Sequence, residues 1–145
     1  MEVQLQSLVE AYNNTSYRVE LPNEVVTLRP GNHCPALNSF LATGGWNSAA
    51  VITAFNPRST VTSHEENVAA NASLLAAAQD RGYEVHFGAG VGDDPKWGPE
   101  ESFLLCGIAL PEALALAVQF EQNAIAFHEV SLKTVIELSD IFTDK

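Results

Sequence analysis

The sequence is poor in basic residues and has no long apolar run, and each shortage argues against a class of protein. It has 7 Lys and Arg against 18 Asp and Glu, which gives a net charge of −11. The basic residues are also scattered, whereas a nucleic-acid-binding surface needs them clustered. No apolar run approaches the roughly 20 residues of a membrane span. We therefore expect neither a nucleic-acid partner nor a membrane.

Cysteine is also scarce. Cys106 lies inside the apolar run FLLCGIAL, as a buried free thiol does, and a disulfide with Cys34 is not expected in a cytosolic protein. The start MEVQLQSLVE lacks the basic region and apolar block of a secretory signal, which favours the cytoplasm. A length of 145 residues with 46% hydrophobic content predicts one globular domain over 1–145.

No known catalytic signature or phosphate-binding glycine motif is present. The glycine-rich segment 88–92 follows a predicted strand without opening a helix, so it does not indicate a dinucleotide site. The four histidines are far apart, and no pair has the spacing of metal ligands, even with Asp93 and Asp94 as additional candidates. No metal and no cofactor are predicted, and whether the protein is an enzyme stays open.

The pattern of apolar residues predicts the secondary structure. Ser48 to Phe55 is almost wholly apolar, as a central strand buried on both faces is. Ser63 and Glu66 match the capping box at the start of a helix, for which Val68, Ala72 and Leu75 supply the apolar stripe. The predicted helices are 2–13, 35–42, 64–80 and 111–120; the predicted strands are 17–21, 25–28, 48–55, 83–87, 102–108, 123–127 and 135–138.

From residue 48 onward the order is strand, helix, strand, strand, helix, strand. This order is typical of an α+β, ferredoxin-like split β-α-β core (βαββαβ) with the spatial strand order 4-1-3-2. Residues 48–128 are the predicted core, with 83–87 as its alternating edge strand. Residues 1–47 are an N-terminal extension, a helix and short strands packed on the core, and 129–145 are a C-terminal strand and tail.

This topology brings the end of the first core strand beside the end of the second and the starts of the third and fourth. We place a ligand site at this edge. An arginine fork beside a helix N-terminus binds anions, although Arg58 pairing with Glu100 or Glu101 is the alternative. The candidate ligand-binding residues are Asn56, Arg58, Ser59, Asn67, Gln122 and Asn123.

Three residues are candidates for proton transfer: Glu100, Glu101 and His64. Because neighbours on a strand point to opposite faces, at most one of the two glutamates faces a given pocket. His64, Asn67 and Asn71 share one helix face, which either contacts a ligand or is a solvated polar face. Gln122 and Asn123 either bind a ligand or cap the helix over 111–120 and the following turn.

The segments ITAFNPRS, PEESFLLCGI and FEQNAIAF, with a serine and EEN between the first two, carry a resemblance. Over Ala49 to Phe127 the chain resembles a bacterial family catalogued as a domain of unknown function, number 3293. The resemblance implies no activity. It also implies a small residue, often glycine, where this chain has Glu121.

Three functions are consistent with these features. The first is a binding module for a small anionic ligand or nucleotide at one end of the sheet. The second is a protein interaction or dimerisation module, including a homodimer, in which the polar clusters are structural. The third is a small enzyme that uses Glu100, Glu101 or His64 in proton transfer.

Overall fold

The computed structural model describes residues 2–92 and 98–143. Its helices are α1 (Glu2–Asn13), α2 (Pro35–Gly44), α3 (His64–Asp80), α4 (Leu110–Gln119) and α5 (Asp140–Thr143). Its strands are β1 (Ser16–Glu20), β2 (Val25–Leu28), β3 (Ser48–Ile52), β4 (Glu84–Val91), β5 (Glu100–Cys106), β6 (Ala124–Glu129) and β7 (Val135–Leu138). A 3-10 turn at Pro57–Ser59 follows β3.

Local sequence signals explain how the longest helix begins and ends. The Ser63 hydroxyl oxygen accepts a hydrogen bond from the Glu66 N–H at 3.1 Å, and the Glu66 carboxylate accepts one from the Ser63 N–H at 3.3 Å. This capping box satisfies free donors of the first turn of α3. Gly82 follows the helix with φ +86°, a left-handed conformation that suits glycine.

The strands form one seven-stranded sheet in the order β2-β1-β4-β5-β3-β6-β7. Every pair of neighbours is antiparallel. One face, which we call the outer face, packs on α3 and α4 through Leu74 and Leu116. The other, the inner face, packs on α2 through Leu37 and Leu41. Both faces of the central strands are therefore covered, which explains their continuous apolar sequence.

The sheet is strongly curled into a half-barrel. Backbone hydrogen bonds show how it is held: the Gly31 N–H donates to the Thr134 carbonyl at 2.7 Å, and the Thr134 N–H donates to the Asn32 carbonyl at 2.9 Å. These residues follow β2 and precede β7, the two edge strands. The half-barrel is thus closed at one end, around α2.

The α+β class is confirmed, but a ferredoxin-like core is not shown. The four strands of the predicted core, 48–128, lie in the order β4-β5-β3-β6, within a sheet that continues on both sides. The prediction that 83–87 is an edge strand is wrong, because β1 pairs with β4 over Ser16 to Val19. The glycine-rich segment from residue 88, which lies outside the predicted strand 83–87, continues β4 as far as Val91.

Both cysteines are free and buried, as predicted for Cys106. Burial raises the pKa of the Cys106 thiol to about 12, and the nearby Glu84 carboxylate adds to the effect. The thiol is therefore protonated at neutral pH and behaves as a small apolar group of the inner face.

Candidate functional site

A cavity of about 340 Å³ lies between α1 and the inner face, at the end of the sheet where β3 ends and β5 begins. The side chains of Leu8, Ala11 and Tyr12 line it from α1. Its volume falls within the range of small-molecule sites, roughly 300–1,000 Å³. The cavity is at the edge where the sequence places the site, and it is covered by α1, a part of the N-terminal extension whose role the sequence left open.

Small residues at one end of the inner face leave the space. Glu100 and Ser102 of β5 face the cavity, and their partners on β4 are Gly90 and Gly88. A side chain at Gly88 would meet the Arg18 carbonyl oxygen at 2.2 Å, so close backbone packing requires that glycine. At Gly90 the nearest atom, Tyr17 Cε1, would be 3.5 Å away, so glycine there leaves room.

Ser102 is the most unusual polar residue of the cavity. It is 3% exposed, and its hydroxyl has no hydrogen-bond partner among the described residues. Leaving a buried hydroxyl unpaired costs about 1–3 kcal/mol. A group that enters the cavity and hydrogen-bonds to it would remove this cost.

Glu100 places a carboxyl group in the same wall. Its Oε2 accepts a hydrogen bond from Asn56 Nδ2 at 2.9 Å. Burial raises the pKa of this carboxyl group, and the hydrogen bond from Asn56 opposes the increase. Among the described residues, no Lys, Arg or His forms an ion pair with it.

Tyr17 stands beside Glu100 on the cavity wall. Burial raises the pKa of its hydroxyl above the usual range, a hydrogen bond with Thr15 lowers it in part, and repulsion from Tyr12 and Glu100 raises it further. The hydroxyl therefore stays protonated at any physiological pH. Its ring gives the cavity an apolar and polarisable surface.

The polar edge of the cavity is a connected cluster around Ser59. The Ser59 hydroxyl exchanges a 2.8 Å hydrogen bond with the Tyr12 hydroxyl and accepts one from Asn123 Nδ2 at 3.2 Å. Three elements, α1, the 3-10 turn and the start of β6, therefore meet at this serine. Of the predicted ligand-binding residues, four line the cavity: Asn56, Ser59, Gln122 and Asn123.

Gln122 is buried and acts largely as a structural link. Its Nε2 donates to the Phe55 carbonyl at 3.1 Å and to the Phe120 carbonyl at 3.3 Å. Its backbone N–H donates to the Ala117 carbonyl at the end of α4. These hydrogen bonds agree with the alternative that Gln122 caps the end of α4 and the following turn.

Arg58 lies outside the cavity and is exposed. Its Nε pairs with the Glu121 carboxylate at 3.1 Å, and its N–H donates to the Glu121 carbonyl at 2.7 Å. The alternative that Arg58 pairs with a glutamate therefore describes the structure, but the partner is Glu121 and not Glu100 or Glu101. The sequence signal for Glu121 was that the resemblance implies a small residue at this position.

Backbone strain is concentrated beside the cavity. Among the described residues, five non-glycine residues have positive φ, and four of them lie here: Asn56 (47°), Arg58 (57°), Ser59 (60°) and Glu121 (57°). L-residues rarely adopt this conformation, at a cost of roughly 1–2 kcal/mol each. Glu121 thus keeps the left-handed turn that glycine would form without strain.

Asn67 and Asn71 do not form a solvated polar face, because both are buried. Asn67 Oδ1 accepts a hydrogen bond from the Asn56 N–H at 2.8 Å, and Asn71 Oδ1 accepts one from the Ala54 N–H at 2.7 Å. These amides replace strand partners where β3 has ended. The expected apolar stripe of α3 is correct only in part: Leu75 packs against the core, but Val68 is 44% exposed.

The other two proton-transfer candidates do not line the cavity. Glu101 is exposed, and its backbone carbonyl accepts hydrogen bonds from Asn71 and Thr53. His64 is exposed at the start of α3, with its ring 6.5 Å from that of Phe55. The structure thus separates the three candidates, and only Glu100 faces the cavity.

Sequence reasoning missed the residues that shape the cavity, among them Tyr12, Tyr17, Gly90 and Ser102. Ser102 is the one polar residue inside a strand segment that is otherwise apolar, SFLLC, and this was a usable signal. Tyr12 and Tyr17 lie far from the site in sequence. Only the pairing of β1 with β4 brings the second of them close.

Within the described ranges, no three His, Cys, Asp or Glu side chains come together as metal ligands would. Asp93 and Asp94 lie outside those ranges. The same part of the chain contains no helix with the length and apolarity that crossing a membrane requires.

A family model described as "Protein of unknown function (DUF3293)" matches residues 52–125, about half of the chain. The chain belongs to this family, as the resemblance in its motifs predicted. The match extends from the last residue of β3 to the start of β6, so it includes Asn56, Ser59, Glu100, Ser102 and Asn123. No curated protein and no solved structure matches the chain.

Proposed function

We propose that this DUF3293 protein is a small-molecule-binding module and that its ligand occupies the cavity between α1 and the inner face. One observation carries the proposal: a cavity of about 340 Å³ has Ser102, 3% exposed and without a partner for its hydroxyl, in its wall. Folding has buried a polar group there without pairing it, and a ligand would supply the missing hydrogen bond.

The surroundings of Ser102 support an occupant with an apolar body. Val51, Phe55, Ala124 and Ala126 line the cavity from the sheet and the loop after β3. Small-molecule sites commonly combine such an apolar lining with a few polar groups that fix the orientation of the ligand. The polar groups here include Glu100 with its partner Asn56 and the hydrogen-bonded cluster around Ser59.

The prediction of an anionic ligand or nucleotide rests on Arg58, and the geometry gives it little support. Arg58 pairs with Glu121 outside the cavity, while a carboxyl group, that of Glu100, faces the inside. An uncharged or positively charged ligand suits this wall better than an anion. The dimerisation alternative stays a prediction, since no described surface identifies a partner.

A small enzyme working in the same cavity is the second candidate. It is favoured by Glu100, the only one of the three proton-transfer candidates that lines the cavity, and burial raises the pKa of its carboxyl group above the ordinary value. Turnover of a bound compound, abolished in Glu100→Gln, would distinguish it from a binding module.

The binding proposal is tested by thermal-shift measurements with uncharged aromatic probes such as 2-phenylethanol and indole. A probe at 100 times its dissociation constant adds roughly 2.7 kcal/mol, which raises the melting temperature by several degrees. Gly90→Val should abolish the shift, because its side chain would project beside Tyr17 into the cavity. Ala89→Val, which places the same side chain on the opposite face of β4, is the matched control.

A shift that survives in Gly90→Val would mean that the probes bind elsewhere and would overturn the proposal. So would the absence of a shift with every probe. Loss of the shift in both variants would point to a general effect of substitutions in β4 and would also count against the cavity.

A further inference from the structure

We propose that the ligand of this cavity is a small organic amine, whose ammonium group pairs with the Glu100 carboxylate while its apolar body lies against Tyr17 and Ala126. This inference rests on the proposed function and deepens it by naming the ligand class. Three observations support it: the cavity, the carboxyl group of Glu100 in its wall, and the partners that three described arginines have elsewhere.

The Glu100 carboxyl group has no charged partner among the described residues. Its described partner is the neutral amide of Asn56, whose Nδ2 donates to Oε2 at 2.9 Å. A neutral donor solvates a carboxylate without neutralising its charge. A carboxylate placed in a largely apolar cavity is stabilised by an opposite charge. A bound cation would provide that charge.

Three arginines of the described part of the chain have partners away from Glu100. Arg58 pairs with Glu121, Arg29 donates to Ser16, and Arg81 donates to Gln119. Lys96 lies outside the described residues and precedes Glu100 by four positions. Lys145 lies outside them as well. Because Lys96 is the nearer of the two in sequence, it is the internal cation that the experiment has to exclude.

The Ser102 hydroxyl lies in the same cavity wall as the Glu100 carboxyl group. Ser102 is two residues further along β5, so its hydroxyl faces the same side as Glu100. An ammonium group has three N–H donors. One can reach the Glu100 carboxylate and another the unpartnered Ser102 oxygen, which explains why that hydroxyl is buried without a partner.

The negative charge of Glu100 and of the whole chain disfavours anionic ligands. The Glu100 carboxylate repels a negative ligand, and the chain has a net charge of −11, which lowers the local concentration of anions at its surface. The ring of Tyr17 attracts a cation through its quadrupole and is neutral to an alcohol. The charge of a ligand should therefore change its affinity for the cavity more than its shape does.

The test uses three probes that share one skeleton and differ in charge: phenethylamine, 2-phenylethanol and phenylacetate. Affinities are measured by titration calorimetry at fixed ionic strength, for the wild type and for Glu100→Gln. A charge-assisted hydrogen bond should make the wild type bind the amine about tenfold to a hundredfold more tightly than the alcohol. Glu100→Gln should lose this preference and keep the affinity for the alcohol, because glutamine preserves the shape and an acceptor for Asn56.

The pH dependence of amine binding gives a second readout. The amine needs the ionised carboxylate, so its affinity should fall as the pH decreases through the pKa of Glu100. Burial raises that pKa, so the loss should begin at a higher pH than for an ordinary glutamate. The affinity for the alcohol should stay constant over the same range.

The outcomes separate the two proposals. Equal affinities for amine and alcohol, both lost in Gly90→Val, would overturn the amine inference and leave the binding module intact. Tightest binding of phenylacetate would overturn it in favour of the anionic ligand. Amine binding that appears only in Lys96→Met would make Lys96 the natural partner of Glu100 and would also overturn the inference. If no probe binds, both proposals fail.

Discussion

Replacing Asn71 by alanine should remove the main support of the segment that follows β3. Asn71 is 4% exposed; its Oδ1 accepts from the Ala54 N–H at 2.7 Å, and its Nδ2 donates to the Glu101 carbonyl at 2.8 Å. The substitution leaves two backbone groups without these partners, at about 1–3 kcal/mol each. We expect a loss of about 3–5 kcal/mol, a large part of a typical stability of 5–15 kcal/mol.

The loss is measured by urea unfolding followed by circular dichroism, with Ser73→Ala as the matched control. Ser73 is exposed on the same helix, so its substitution should change the free energy of unfolding by no more than about 0.5 kcal/mol. A loss below about 1 kcal/mol in Asn71→Ala would refute the reasoning, because the loop would then be held by other contacts.

Asn71→Asp separates the two hydrogen bonds. The aspartate keeps an acceptor for the Ala54 N–H but turns a carboxylate toward the Glu101 carbonyl. Burial should raise the pKa of this new carboxyl group, so the variant should be strongly destabilised at neutral pH. The difference from the wild type should shrink as the pH falls, because the protonated group can donate to that carbonyl again.

Three further predictions concern single residues. Ser102→Ala should raise the free energy of unfolding of the unliganded protein by about 1 kcal/mol, since a buried unpaired hydroxyl is removed; an unchanged melting temperature would contradict this. Burial lowers the pKa of His128, and nearby His33 lowers it further. Its neutral form is therefore favoured in the folded state, so stability present above about pH 6.5 should be lost as the pH falls below that value, by up to about 1.4 kcal/mol per pH unit. Urea midpoints at several pH values should show this dependence in the wild type and not in His128→Gln. Glu121→Gly should raise stability by up to about 1 kcal/mol in thermal unfolding, because relief of a left-handed backbone (φ 57°) outweighs an exposed ion pair; a loss of stability would show that the ion pair with Arg58 matters more.

The sequence predicts those parts of the fold that depend on neighbouring residues. Helices α1 and α3 have the predicted bounds, and the capping box at Ser63 forms as expected. The continuous apolar runs mark β3 and β5, which lie at the centre of the sheet. In each case the signal lies within one element, through periodicity or a cap, so no knowledge of distant contacts is needed.

Features that depend on distant contacts were not predictable in this way. The pairing of β1 with β4 and the bonds of Gly31 and Asn32 to Thr134 join segments that are far apart in the chain. The pairing places β1, which follows α1, beside the strands that carry the site, and the bonds of Thr134 link the segments next to the two edge strands. Asn71 was misjudged for the same reason, because its partners Ala54 and Glu101 lie outside its helix.

The distribution of strain and side-chain size explains why the cavity lies at this end of the inner face. At the other end, Leu104 and Cys106 fill the space against α2, and the hydrogen bonds of Thr134 close the half-barrel. Toward the cavity the same strand presents Ser102 and Glu100. The adjacent turns hold four non-glycine residues with left-handed backbone, at roughly 1–2 kcal/mol each. Sequences that maximised stability alone would place glycine in those turns and a larger apolar residue at position 102. The combination of strained turns, an unpartnered hydroxyl and an unfilled space is therefore not required by the fold, and it is what the proposed binding function predicts.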